Sequence, residues 1–155
     1  MNELEHLRAR ADVHDLLVRL AQAQDARDWE ALAACFAPDA TYDHPGGRLR
    51  SAAEIVERSR SALGRLDGSQ HLVGSFLIEV DGEDTDSATC TSYFQAQHIR
   101  CGAPGGDFLI IAGTYRDQLR RTDGRWQVAH RTQEYSWRDG NPEVTKRPAP
   151  PEATA

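Results

Sequence analysis

The sequence predicts an α+β fold in which N-terminal helices pack on one face of a curved antiparallel sheet. Residues 3–26 carry apolar side chains at helical spacing, residues 69–137 read as four strand-like runs, and short turn signals separate those runs. Helices first and a long meander second is the α+β pattern. At 155 residues the chain is the size of one domain and long enough to bury a core.

The first helix is expected over Glu3 to Ala26. Leu4, Ala11, Val18 and Asp25 recur every seven residues, Leu7, His14 and Ala21 share their arc, and Leu17 and Leu20 widen it. Asp25 is therefore placed on the inward face, with Arg8, Asp12, Asp15 and Arg19 on another side. Asp28 is positioned to cap a short second helix through Trp29, Leu32, Ala33 and Phe36, which Pro38 and Asp39 end. ATYDH reads as a short strand and PGG as a turn. Ser51 and Glu54 have capping-box spacing and open a third helix through Ile55, Val56 and Leu63, closed by Gly64 or Gly68. The four strands follow at about 69–80, 86–101, 107–121 and 125–137, separated by DGED, CGAPGG and TDGR. Connections this short make the strands antiparallel neighbours. The domain is expected to span 1–140, with 141–155 a Pro-rich extended tail.

Composition narrows the function classes. The net charge of -6, with no basic stripe to offset it, argues against nucleic acid as a partner. Arg116, Arg120, Arg121 and Arg125 cluster beside a turn and read as a solvated face. No apolar run approaches a membrane span, and MNELEHLRARAD has no signal-peptide core, so a cytoplasmic location is expected. Cys35, Cys90 and Cys101 are odd in number and lack CxxC spacing, which points to free thiols rather than a zinc site.

Several residues are able to carry chemistry. An inward Asp25 needs a hydrogen-bonding partner. His71, in QHLVG, is a natural general base if a carboxylate orients it. His98 follows Phe94 and Ala96 at period two and shares their face. In the last strand, alternation puts Val128, His130 and Thr132 on one face and Ala129, Arg131 and Gln133 on the other. Tyr42 and Tyr115 are amphipathic groups that either pack or aim a hydroxyl into a cavity.

A helix, QDARDWEALAACFAPDATYD, a later helix, QHLVG and a meander with TYRDQLRRTDGRW together resemble the SnoaL-like branch of the nuclear transport factor 2-like superfamily. The likeness runs from about Glu3 to Trp137 and is strongest to the group holding scytalone dehydratase, bile-acid 7α-dehydratase and hexachlorocyclohexane dehydrochlorinase. It implies a cone-shaped, cystatin-like α+β barrel. In that group an aspartate ending the first helix orients a histidine of the first long strand, and Asp25 and His71 occupy those positions. His98 matches a second histidine of the scytalone dehydratase pattern, and Tyr42 its tyrosine after the second helix. Arg131, seven residues after Gly124, matches the last-strand arginine of the other two patterns. Leu20 replaces the lysine of the dehydrochlorinase pattern, and Gln24 and Tyr115 replace a tyrosine and an asparagine of the scytalone pattern. The resemblance thus implies the branch without implying a shared substrate.

The expected activity is a cofactor-free, metal-free lyase. Asp25 and His71 would abstract a proton, His98 and Arg131 would assist, and water would be eliminated from a small hydrophobic cyclic or polycyclic, steroid-like or secondary-metabolite substrate. Tyr42, Tyr115, Phe94 and Trp29 are the expected substrate contacts. The alternatives are an isomerase or polyketide cyclase using the same base, and a non-catalytic ligand-binding or accessory protein. An apolar back face on an open sheet, together with the group resembled, points to a homotrimer or homodimer.

Overall fold

The computed structural model describes residues 2–82 and 86–146. The order is α1 (Glu3–Ala26), α2 (Trp29–Ala34), β1 (Phe36–His44), β2 (Gly47–Leu49), α3 (Ala52–Leu63), β3 (Gly68–Val80), β4 (Ser87–Ile99), β5 (Phe108–Thr122) and β6 (Arg125–Gly140). The strands form one six-stranded sheet in the order β2-β1-β6-β5-β4-β3. Strands β3 to β6 are the expected antiparallel meander, but β1 runs parallel to β6, so the sheet is mixed.

Asn2 caps α1: its side chain accepts from the Glu5 amide, and the Glu5 carboxylate accepts from the Asn2 amide, each at 2.9 Å. The buried stripe is Ala9, Val13, Leu16, Leu17, Leu20 and Ala23, roughly opposite the expected row through residues 4, 11 and 18, while Ala21 of the expected arc is buried at its edge. Leu4 and Leu7 lie on the first turns and are 75% and 56% exposed, so the heptad that begins on them follows the wrong face. His14 and Asp25 flank the stripe and turn toward β3, where the His14 ring meets Phe76 at 5.0 Å and Asp25 meets His71.

The second helix is shorter than expected. It ends at Ala34, and Phe36 and Pro38 belong to β1. Pro38 is tolerated because the β1–β6 register shifts between Phe36 and Thr41, where the ladder needs no donor. Ser51 caps α3 through the Glu54 amide and Gly64 closes it.

Extra residues bend the long strands. In β6, Val128 pairs with Leu119 but His130 with Gln118, and Tyr135 pairs with Gly113 but Trp137 with Ala112. A third irregularity lies in β3 between Gly74 and Leu77, where Ser75 takes φ 52°. Such bulges curve and coil a sheet. One half of the concave face is filled by a core that includes Leu17, Leu20, Leu32, Phe36, Ile55, Ile78, Leu119 and Val128. The other half carries the smaller Phe94, Ala96 and Tyr115 cluster.

The domain also runs past Gly140. Asn141 donates to the carbonyls of Pro104 and Gly106 at 2.8 and 2.6 Å, and Val144, in a 3-10 turn over Pro142–Val144, is buried with Leu63, Leu66, Ala103 and Leu109. The remainder of the expected tail, 147–155, lies outside the described residues, as do 83–85 of the DGED turn. The arginines near the β5–β6 turn are paired: Arg116 with Glu134, Arg120 with Asp39 and Arg121 with Asp86. Cys35 and Cys90 are buried free thiols and Cys101 is an exposed one. Among the described residues no helix is long and apolar enough to cross a membrane.

Candidate active site

The C-terminus of α1 is pinned before it delivers Asp25. Arg27 ends the helix in the left-handed region at φ 56°, and its guanidinium donates to the carbonyls of Asp25, Leu63 and Leu66 at 2.9, 3.1 and 2.8 Å. These bonds tie the end of α1 to the end of α3. The Asp25 carboxylate then accepts three hydrogen bonds from β3. The His71 ring Nδ1 lies 2.7 Å from Oδ1, the His71 amide 2.8 Å from Oδ2, and Ser69 Oγ 3.1 Å from Oδ1. Burial pushes the carboxyl upward, but the His71 ring and amide bonds, the His71 charge and Ser69 outweigh it and hold Asp25 below the ordinary value. An ionised Asp25 fixes the Nδ1–H tautomer of His71. That leaves Nε2 with its lone pair, and among the described residues no hydrogen-bond partner takes it.

His71 lines a cavity of about 140 Å³ on the concave face. His98, one strand over, stands edge-on to it with ring centroids 5.8 Å apart. Burial first, and the neighbouring His71 second, push His98 down to about 4, so it is neutral at pH 7. Its Nδ1 lies 3.3 Å from the Leu109 carbonyl, which makes Nδ1–H the donor and leaves Nε2 an acceptor. His98 is thus set to receive a hydrogen bond, not to give a proton.

Aromatic and amide groups build the far wall. The Tyr42 hydroxyl donates to Gln133 Oε1 at 3.0 Å, and Gln133 Nε2 lies 3.5 Å from the Tyr115 oxygen. Tyr42 also hydrogen-bonds to Tyr115, so the two hydroxyls and the Gln133 amide form one network on this wall. Burial raises both phenols, Tyr42 well above its ordinary value and Tyr115 to about 12, so both stay protonated. Phe94 stacks on Tyr115 with centroids 4.3 Å apart.

Arg131 takes a different place from the expected one. The bulge at Ala129 puts it on the same face as Val128, contrary to simple alternation. It lies beneath the cavity floor and does not line it. Its Nε and Nη2 bind the Asp117 carboxylate at 2.6 and 2.9 Å, and the guanidinium sits 4.1 Å from the Tyr115 ring centroid. Burial opposes the charge, but Asp117 outweighs it and keeps Arg131 protonated. Trp29 is also absent from the lining; it packs between the two larger core clusters with Arg60 5.7 Å over its ring.

The cavity therefore unites His71, His98, Tyr42, Tyr115 and Phe94, with Asp25 behind His71 and Arg131 behind Tyr115. Sequence reading missed Gln24, Arg58, Gln133 and Tyr135 in the lining and Ser69 beside Asp25. Period-two spacing was the available signal for three of them: Ser69 precedes His71 by two, and Gln133 and Tyr135 follow Arg131.

Residues 5–132 match the SnoaL-like domain, and the chain belongs to that family, within the nuclear transport factor 2-like superfamily. It is 25% identical over 134 residues to the terrestric acid biosynthesis cluster protein E of Penicillium crustosum, covering 83% of this chain and 84% of that protein. Two solved structures share the fold. A hexachlorocyclohexane dehydrochlorinase of Novosphingobium barchaimii superposes with a TM-score of 0.78 at 18% identity, covering 96% of this chain and 100% of that one. A candidate scytalone dehydratase of Novosphingobium aromaticivorans gives 0.79 at 19% identity, with 97% of each chain covered.

Proposed function

We propose that the protein is a lyase of dehydratase type whose general base is His71, oriented by Asp25. The observation that carries the reading is the 2.7 Å Asp25–His71 bond at the wall of a cavity that His71 lines. Nε2 removes a proton from the carbon next to a carbonyl. Charge builds on the carbonyl oxygen, where the Tyr115 O–H stabilises it as a hydrogen-bond donor. Arg131, beneath the Tyr115 ring, polarises that phenol without touching the substrate. The β-hydroxyl leaves as water, taking the proton back from the His71 imidazolium, so His71 ends neutral and the product carries one new carbon–carbon double bond. His98 Nε2 accepts from the leaving hydroxyl beforehand and fixes its direction. The likeness to a biosynthetic-cluster protein and to two elimination-type folds supports this class.

A cavity near 150 Å³ holds one six-membered ring. At about 140 Å³ the half-open cavity here suits a single-ring substrate, and a polycyclic or steroid-like one would extend through the mouth. The test is a panel of cyclic β-hydroxy ketones incubated with wild-type protein and His71→Ala, read by product mass. Loss of one water with wild type alone supports the reading. An unchanged mass with a shifted double bond assigns an isomerase, and equal conversion by His71→Ala removes the base.

A further inference from the structure

Arg58 sits on α3 at the mouth of the cavity. It lines both the cavity itself and the shallow groove outside, beside His44, Glu54 and Glu57. Neither glutamate neutralises it. Glu54 accepts from the Arg50 amide at 2.7 Å, and Glu57 lies 3.9 Å from Arg60. Among the described residues no carboxylate stands within ion-pair distance of Arg58. The cavity lining contains no carboxylate, and Asp25, whose side chain is 24% exposed, is engaged by His71 and Ser69. The other arginine of the region, Arg131, is already matched by Asp117. A half-buried guanidinium at the rim of a pocket with mixed polar and apolar walls thus has donors to spare, and its charge reaches inward to Tyr42 and outward to His44.

Planar guanidinium donors match a carboxylate in a two-pronged fit. Behind Arg58 the apolar side chains of Ala62, Leu63, Phe94, Ala96 and Ile111 accept a ring. We infer that the substrate is a cyclic carboxylic acid whose carboxylate is anchored by Arg58 at the mouth while its ring reaches His71. The inference rests on the cavity being the substrate site and makes Arg58 its specificity determinant. An anchored carboxylate orders the ring end-on, so the carbon presented to His71 is fixed by the distance from the acid group.

The probes are benzoate and its neutral isostere benzamide, titrated calorimetrically into the full chain. Wild type is expected to bind benzoate about tenfold more tightly, the worth of one charge-assisted pairing. Arg58→Gln brings the two affinities together while leaving benzamide within about twofold, since only the charge match is lost. Arg58→Lys keeps part of the preference, which shows that charge and not helix stability sets it. Equal wild-type binding of the two probes, binding of neither, or a preference that survives Arg58→Gln overturns the inference. Failure of His71 as a base shows instead in the water-elimination assay, and leaves the benzoate-to-benzamide ratio unchanged.

Discussion

Asp25 grips His71 at two points, the ring Nδ1 at 2.7 Å and the backbone amide at 2.8 Å, one carboxylate oxygen for each. The amide bond places the strand and the ring bond sets the tautomer. Asp25→Asn keeps the amide bond through its one carbonyl oxygen but turns an NH2 donor toward the ring Nδ1, which favours the wrong tautomer. The expected outcome is a folded protein whose kcat falls by about 10²–10⁴ with KM little changed. Turnover of a dehydrated panel substrate, alongside a circular-dichroism melt, checks it.

His98 and Asp25 make acid stability readable. The folded His98 value of about 4 lies below its ordinary 6.5, so the unfolded chain takes up the proton first. Stability is therefore intact above 6.5 and declines as pH falls toward 4, by roughly 3 kcal/mol. Asp25 is lowered from 3.8, so its own contribution is complete above 3.8 and disappears as pH falls through the folded value. Urea unfolding of wild type and His98→Gln at a series of pH values separates them: the variant loses most of the decline between 6.5 and 4, what remains belonging to His44, and keeps the one below 3.8.

The Asp117–Arg131 pair is wholly enclosed, with side chains 0% and 3% exposed. Removing one partner strands a buried charge. Arg131→Met is expected to cost about 3–5 kcal/mol, and Arg131→Met with Asp117→Leu is expected to recover most of it. Chemical denaturation of the two single variants and the double gives the coupling. With Arg131 gone, the support under Tyr115 goes too, so activity falls further than stability alone explains.

Leu72, Gln95, Ala112 and Trp137 lie in register across β3, β4, β5 and β6, on the face away from the helices, and Tyr93 adjoins them. Leu72, Tyr93 and Trp137 are 53%, 62% and 48% exposed, more apolar surface than an isolated sheet face usually leaves wet. The expected outcome is a dimer or trimer buried on this face. Sedimentation of wild type against Tyr93→Glu checks it: the variant is expected to shift to monomer while its near-ultraviolet spectrum is retained.

The parts legible in the sequence were those that depend on short-range spacing. The meander, the third-helix cap at Ser51 and the Asp25–His71 partnership all followed from local pattern or from family resemblance. The misreadings came from events that local periodicity does not encode. The bulge at Ala129 turned Arg131 to the side of Val128, and the register break around Pro38 let a proline sit inside β1. Leucines on exposed first turns drew the helical stripe to the wrong side of α1, while the true stripe leans on alanines. Arg58 carried no sequence signal, since its meaning lies in the carboxylate missing beside it.

The proposed elimination requires His71 to present an unprotonated Nε2 to the cavity. Nitrogen NMR of the imidazole in wild type and Asp25→Asn at neutral pH tests it most directly. The expected spectrum shows one tautomer in wild type, proton on Nδ1 and lone pair on Nε2, reversing toward the Nε2–H form in the variant, whose Asn NH2 donates to Nδ1. A wild-type His71 with its proton on Nε2 would leave no base facing the cavity and would contradict the account.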